Sequence, residues 1–182
     1  MYLLIKMIIL KSIFMSILAI DVYYTENKAR IVGVIFENWD DQKPNNILYS
    51  NFDEVSEYES GSFFKRELPC ILHLLKNVTL EKISTIIVDS YVFLDDENKL
   101  GLGGYLYQKL NNKIPIIGVA KKAFHLNKKN VIEILRGEST KPLYVSSVGV
   151  DLKLAANCII NMHGEYRTPT LLKLLDVETK KL

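Results

Sequence analysis

The sequence predicts an α/β protein: a mixed sheet with helices packed against it. Three observations carry that expectation. Three apolar, β-branched runs come first, close enough to pair as antiparallel hairpins. Apolar runs of strand length then alternate with stretches of helical spacing as far as the C-terminus. The composition is that of a folded globule, with 48% hydrophobic and 24% charged residues in 182. That length suits one domain. No internal repeat, low-complexity tract or linker divides it.

The elements follow in order. Ile17–Tyr24 is a strand with Asp21 near its end, and Ala29–Phe36 is a second across a short polar turn. Residues 37–45 are polar and contain Pro44, which makes them a loop, and Ile47–Phe52 is a third strand. Gly61–Lys76 repeats apolar residues at helical spacing, although Pro69 should kink the helix or delay its start. Ser84–Val88 is a buried strand that runs into Asp89. Gly101-Leu-Gly-Gly104 opens a helix to Leu110, and Ile114–Ala120 is a buried strand closed by Lys121. Leu143–Val148 is a further strand. Asp151–Met162 is a helix whose first carboxylate suits the positive end of the helix dipole, and Thr168–Leu175 is a short last helix.

Several classes of function fall away. No run of about 18 apolar residues is free of charge, so a spanning helix is not expected. Two cysteines and three histidines, widely spaced, supply neither a disulfide framework nor a zinc cluster. The glycines of GLGG do not fit a dinucleotide fingerprint, and neither a phosphate-binding loop nor a nucleophile elbow is present. Residues 1–14 are apolar but interrupted by Lys6 and Lys11, and no small-residue cleavage site follows. They read as an N-terminal extension or an over-called start, with a membrane-surface anchor as the alternative, and the protein is expected to be a cytoplasmic monomer: a single 15–182 domain without stable membrane association.

The net charge of +2 hides an asymmetry: residues 1–97 hold 9 Lys/Arg against 15 Asp/Glu, and residues 98–182 hold 14 against 6. Acidic residues that gather a metal and basic residues that gather a phosphodiester would divide a chain in this way; ordinary surface scatter does so too. Asp21 and Asp89 lie on apolar strands, where an unpaired carboxylate is costly. If the strands are neighbours, the two charges repel, and a hard divalent cation between them compensates; each Asp capping its own turn is the plainer alternative. Glu67, among apolar helix residues, is a candidate third oxygen ligand or a solvated side chain. Lys121 is a candidate phosphate or water contact. His163 is a weaker candidate proton carrier.

Five segments in order carry a resemblance: Ile20-Asp21-Val22-Tyr23, the run from Tyr58 to Glu67, Ile87-Val88-Asp89, Ile117-Gly-Val-Ala-Lys-Lys122 and Tyr166-Arg-Thr-Pro169. Over roughly residues 15–178 the chain resembles the endonuclease V family, the deoxyinosine 3′ endonucleases. The resemblance implies a ribonuclease H-like fold. It implies Mg²⁺, with Mn²⁺ as a substitute, held by Asp21, Glu67, Asp89 and Asp176. Lys121 matches the family's catalytic-site lysine and Tyr58 its wedge tyrosine beside the damaged base.

The substrate implied is DNA or RNA containing inosine, cut on the 3′ side of hypoxanthine, in nucleic acid repair or inosine-RNA processing. Gly61, Tyr91, Gly101, Gly103 and Gly104 would help to form the pocket for the turned-out base. Lys122, Lys128, Lys129, Arg136 and Lys173 would track the backbone. Two segments depart from the family pattern: Glu59-Ser60-Gly61 stands where Ile-Pro-Gly is usual, and Ser90-Tyr91-Val92 where Gly-Asn-Gly or Gly-His-Gly is usual. A ribonuclease H-like nuclease of other specificity and a non-cleaving nucleic-acid-binding relative are the alternative readings.

Overall fold

A computed structural model describes residues 15–25, 28–53 and 63–181. Seven strands form one sheet: β1 (Ser16–Thr25), β2 (Lys28–Phe36), β3 (Asn46–Phe52), β4 (Ile83–Val88), β5 (Ile116–Ala120), β6 (Ile132–Ile134) and β7 (Leu143–Val148). Their spatial order is β3-β2-β1-β4-β5-β7-β6. β1, β2 and β3 are antiparallel, β1, β4 and β5 run parallel, and β7 and β6 turn back antiparallel. The helices are α1 (Phe63–Leu75), α2 (Leu102–Lys109), α3 (Leu152–Ile160) and α4 (Thr170–Thr179).

The alternation of side chains along the strands builds two cores. Leu18, Ile20 and Val22 of β1 and Ile86 and Val88 of β4 face α1 and α2, where Leu68, Ile71, Leu74 and Leu106 cover them. Ile17 and Ala19 of β1, Ile87 of β4 and Ile117 and Val119 of β5 face α3 and α4, against Ala156, Ile159, Leu171 and Leu175. The same alternation decides where the polar residues at the strand ends point. Asp21, Asp89 and Lys121 continue the second series, so all three emerge on the α4 side.

Two expectations are corrected. α1 begins at Phe63, well ahead of Pro69, so the proline does not delay it. One missing N–H removes one intrahelical bond, and the burial of Leu68, Ile71 and Leu74 on the sheet outweighs that loss. β1 runs to Thr25, one residue past the expected end, paired with β2 throughout, while its pairing with β4 stops at Ile20–Val88. The last helix extends beyond Leu175 to Thr179, because Leu175 and Thr179 are buried against the sheet.

The three-residue β6, at the sheet's edge, was too short to be legible in the sequence. The N-terminal extension and the turn before α1 lie outside the described residues. Among the described residues, no helix is long and apolar enough to cross a membrane.

Candidate active site

The point where β1 and β4 part company makes the site. In register, Asp21 and Asp89 are the next residues after the last parallel pair, Ile20 and Val88. Both strands present them from the same face, so two carboxylates meet at the carboxyl ends of adjacent parallel strands, the usual place for a ligand in such sheets. β5 adds Lys121 one strand further along. Its Nζ donates to Asp89 Oδ2 at 2.6 Å and lies 3.7 Å from Asp176 Oδ1 on α4. Asp21, Asp89, Lys121 and Asp176 line one cleft of about 30 Å³ together with Thr168 and the apolar side chains beneath it.

Asp21 is the most constrained of the four. Its Oδ1 accepts from the Val22 amide at 2.9 Å and its Oδ2 from the Thr179 hydroxyl at 3.2 Å. Burial, with the Asp89 charge in support, pushes its pKa up to about 6. Glu67 approaches from α1. It is buried, and burial together with the charges of Asp21 and then Asp89 raises its pKa well above the carboxylate range. Three carboxylates distant in sequence thus share one electrostatic neighbourhood.

The other charges answer them. Burial lowers the pKa of Lys121, but the Asp89 hydrogen bond and the charges of Asp89, Asp176 and Asp21 outweigh it, and the net shift is upward. Burial raises that of Asp176, and the Lys180 hydrogen bond with the Lys121, Lys180 and Lys173 charges brings it below the usual range. Lys180 Nζ lies 2.7 Å and Lys173 Nζ 3.5 Å from that carboxylate. The acidic first half of the chain and the basic second half therefore do meet at one place.

Not every sequence candidate is in the cleft. Glu67 lies behind it rather than on its lining, and among the described residues no three acidic, His or Cys side chains stand together at metal-ligating spacing. Tyr91 is buried, and its hydroxyl donates to the Lys122 carbonyl at 2.7 Å, which braces the turn that carries Lys121. Gly101, Gly103 and Gly104 pack on the same segment. Their amides donate to the Tyr91 and Val92 carbonyls, and a Cβ on Gly101 would stand 2.5 Å from the Tyr91 oxygen. Gly118 of β5 is likewise obligatory, because a Cβ there would meet the Ser90 carbonyl at 2.3 Å. The bulky Ser90-Tyr91-Val92 segment thus fits only over glycines.

Lys122 is exposed beside the cleft. Arg136, expected to track a backbone, is instead buried, its guanidinium filled by main-chain carbonyls of residues 160–167. His163 shares a 2.9 Å hydrogen bond with Thr170 Oγ1 at the start of α4. Tyr58 and Gly61 lie outside the described residues.

Sequence reasoning missed Thr179 and Arg167. Arg167 Nη2 donates to the carbonyls of Lys121 and Pro142, each at 2.6 Å, and ties the Lys121 turn to the loop before α4. Nothing in a lone Thr in a helix announces a carboxylate partner far away in the chain.

The family model for Endonuclease V matches residues 7–177. The chain belongs to the Endonuclease V family. Endonuclease V of Ciona intestinalis, solved with a 24mer DNA containing an inosine followed by a ribo-adenosine, superposes with a TM-score of 0.73. That match has 19% identity and covers 91% of this chain and 84% of that one. Endonuclease V of Streptomyces avermitilis gives a TM-score of 0.66 at 22% identity, covering 91% of this chain and 81% of that one. The Argonaute of Marinitoga piezophila, solved with guide RNA and target DNA, gives 0.52 at 11% identity. That match covers 93% of this chain and 30% of that one. No curated protein sequence matches the chain. The fold is the ribonuclease H-like mixed sheet, antiparallel strands first and parallel strands after, flanked by helices.

Proposed function

We propose that this protein is a divalent-cation-dependent endonuclease that cleaves a phosphodiester bond of nucleic acid near a deaminated, hypoxanthine-type base. The observation that carries the reading is the meeting of Asp21 and Asp89 at the parting of β1 and β4, charge-coupled to Glu67, with Lys121 beside them. Membership of the family and the inosine-containing DNA bound to the Ciona relative support the choice of substrate.

The donor chemistry fits a hard cation. Asp21, Glu67 and Asp89, with Asp176 beside them, are all carboxylates, and Asp21 and Glu67 have raised pKa values because burial desolvates them and, secondly, like charges face each other. Bound by these residues, Mg²⁺ or Mn²⁺ would activate water at neutral pH and offset the charge of the phosphate. The chain's own residues do the rest. The Val22 amide and the Thr179 hydroxyl fix the Asp21 carboxylate through both oxygens, so its direction does not change when charge enters the cleft.

Lys121 stays protonated and sits where a phosphate oxygen can replace Asp89 as its partner, so it adds positive charge to the reacting group. Arg167 and Tyr91 hold the carbonyls of Lys121 and Lys122, which limits how far that ammonium can wander. Exposed Lys122, Lys128, Lys129 and Lys173 extend the positive field to the rest of the strand.

The test uses matched oligonucleotides, DNA and RNA, with and without one inosine, incubated with the protein and Mg²⁺. Cleavage only of the inosine strand, leaving 5′-phosphate and 3′-hydroxyl ends, is the expected result. Equal cleavage of all strands would leave a nuclease of other specificity, and no cleavage of any would refute the reading.

A further inference from the structure

We propose that Tyr166 is a stacking platform for an unpaired base of the nucleic acid strand that leaves the carboxylate cleft, with Lys173 at the adjoining phosphate. The inference rests on the nucleic-acid reading above and adds a subsite to it.

Tyr166 is 80% exposed, more than any other large hydrophobic or aromatic side chain among the described residues that stand out to solvent. A tyrosine ring so exposed gains little from folding. Yet the backbone that carries it is among the most firmly held in the molecule. Arg136, itself buried, donates from Nη1 to the Tyr166 carbonyl at 2.8 Å and to the Arg167 carbonyl at 3.5 Å. Its Nη2 donates to the Gly164 carbonyl at 3.1 Å and to that of Met162, and its Nε to that of Ile160 at 3.3 Å. A buried guanidinium needs such partners, and here they belong to the last residue of α3 and the loop that follows it. The loop is held by that side chain and its aromatic ring is outside: preorganisation for a contact that the folded chain does not make itself.

The surroundings say what contact. Tyr166, Arg167, Thr168, Thr170 and Lys173 line an open groove, and Thr168 also lines the carboxylate cleft, so the two adjoin at that residue. That groove is basic. Arg167 bonds there only to carbonyls, which leave its charge uncancelled, and the Lys173 side chain is 63% exposed. The other side of Tyr166 carries Glu138 and Glu165 as well as Arg167, so the Lys173 side, which has no carboxylate in its lining, is the more favourable for a polyanion. A positive groove with a free aromatic face is how proteins hold unpaired strands without reading sequence, since every base has a π-face.

The test is binding of fluorescent single-stranded oligonucleotides, DNA and RNA, by fluorescence anisotropy in EDTA, so that nothing is cut. Tyr166→Ala should weaken binding about tenfold, while Tyr166→Phe and Tyr166→Trp stay within twofold of wild type. A single abasic site, moved along the oligonucleotide, locates the subsite. Wild type should lose affinity when the abasic site reaches one position, and Tyr166→Ala should show no further loss there. DNA and RNA should respond alike, because stacking does not use the 2′-hydroxyl.

Unchanged binding by Tyr166→Ala, or the same abasic profile in both proteins, overturns the proposal. Because no cleavage is read, the two ideas fail separately. A wild-type protein that shows the Tyr166-dependent abasic position but never cuts inosine strands refutes the nuclease reading and leaves the platform standing.

Discussion

Asp21→Asn should make the protein more stable and inactive at once. The buried Asp21 carboxyl has a folded-state pKa of about 6 against 3.8 for the free side chain. A raised acid pKa means that the folded state holds its proton more tightly than the unfolded state. Folding is therefore favoured at low pH, and stability falls as pH rises from near 3.8 through about 6, above which the whole penalty is present. A shift of about two units corresponds to roughly 3 kcal/mol.

Asparagine keeps the shape. Its oxygen still accepts from the Val22 amide, its NH₂ faces the Thr179 hydroxyl, which can accept, and one of the two carboxylate charges that add to burial in raising Glu67 is gone. In EDTA at pH 7.5 we expect the variant to gain roughly 1–3 kcal/mol in urea denaturation, or about 2–12 °C in melting temperature for a domain of this size. At pH 4 the two proteins should converge. Excess Mg²⁺ should raise the wild-type melting temperature and leave that of the variant nearly unmoved. A variant less stable than wild type at pH 7.5, or a gap that does not close on acidification, would refute the electrostatic account of the site.

Two further outcomes follow from the same geometry. Asp89→Ala should abolish cleavage of an inosine strand while oligonucleotide affinity stays within about tenfold, since on the proposed function it removes a cation ligand rather than a phosphate contact; gel assays of cleavage and anisotropy of binding check both. Thr179→Val, which keeps the buried shape but loses the hydroxyl that Asp21 accepts from, should weaken Mn²⁺ binding roughly tenfold, with Thr179→Ser close to wild type.

Much of this was legible in the chain. Apolar runs such as Ser84–Val88 and Ile114–Ala120 announced central strands, and both proved to be buried and parallel. The neighbourhood of Asp21 and Asp89 needed the register between β1 and β4, which no local signal records, because strand pairing depends on residues far apart in the chain. The end of α4 was misread because Asp176-Val-Glu-Thr179 is polar by sequence. Its polarity is satisfied internally: Tyr49 donates to Glu178, Arg30 Nε donates to the Glu178 carbonyl, and Thr179 donates to Asp21. Arg136 was misassigned for a related reason, since a basic residue reads as a surface charge until the carbonyls it fills are seen.

The central proposal is that the Asp21–Asp89 cleft, with Glu67 charge-coupled behind it, takes up a divalent cation, and calorimetric titration of the wild-type protein with Mn²⁺ tests it most directly. Saturable binding that releases protons near pH 6, as the Asp21 carboxyl ionises, and that is lost in each of Asp21→Asn, Glu67→Gln and Asp89→Asn, is the predicted result. Binding that survives all three substitutions, or no binding by wild type, would contradict it.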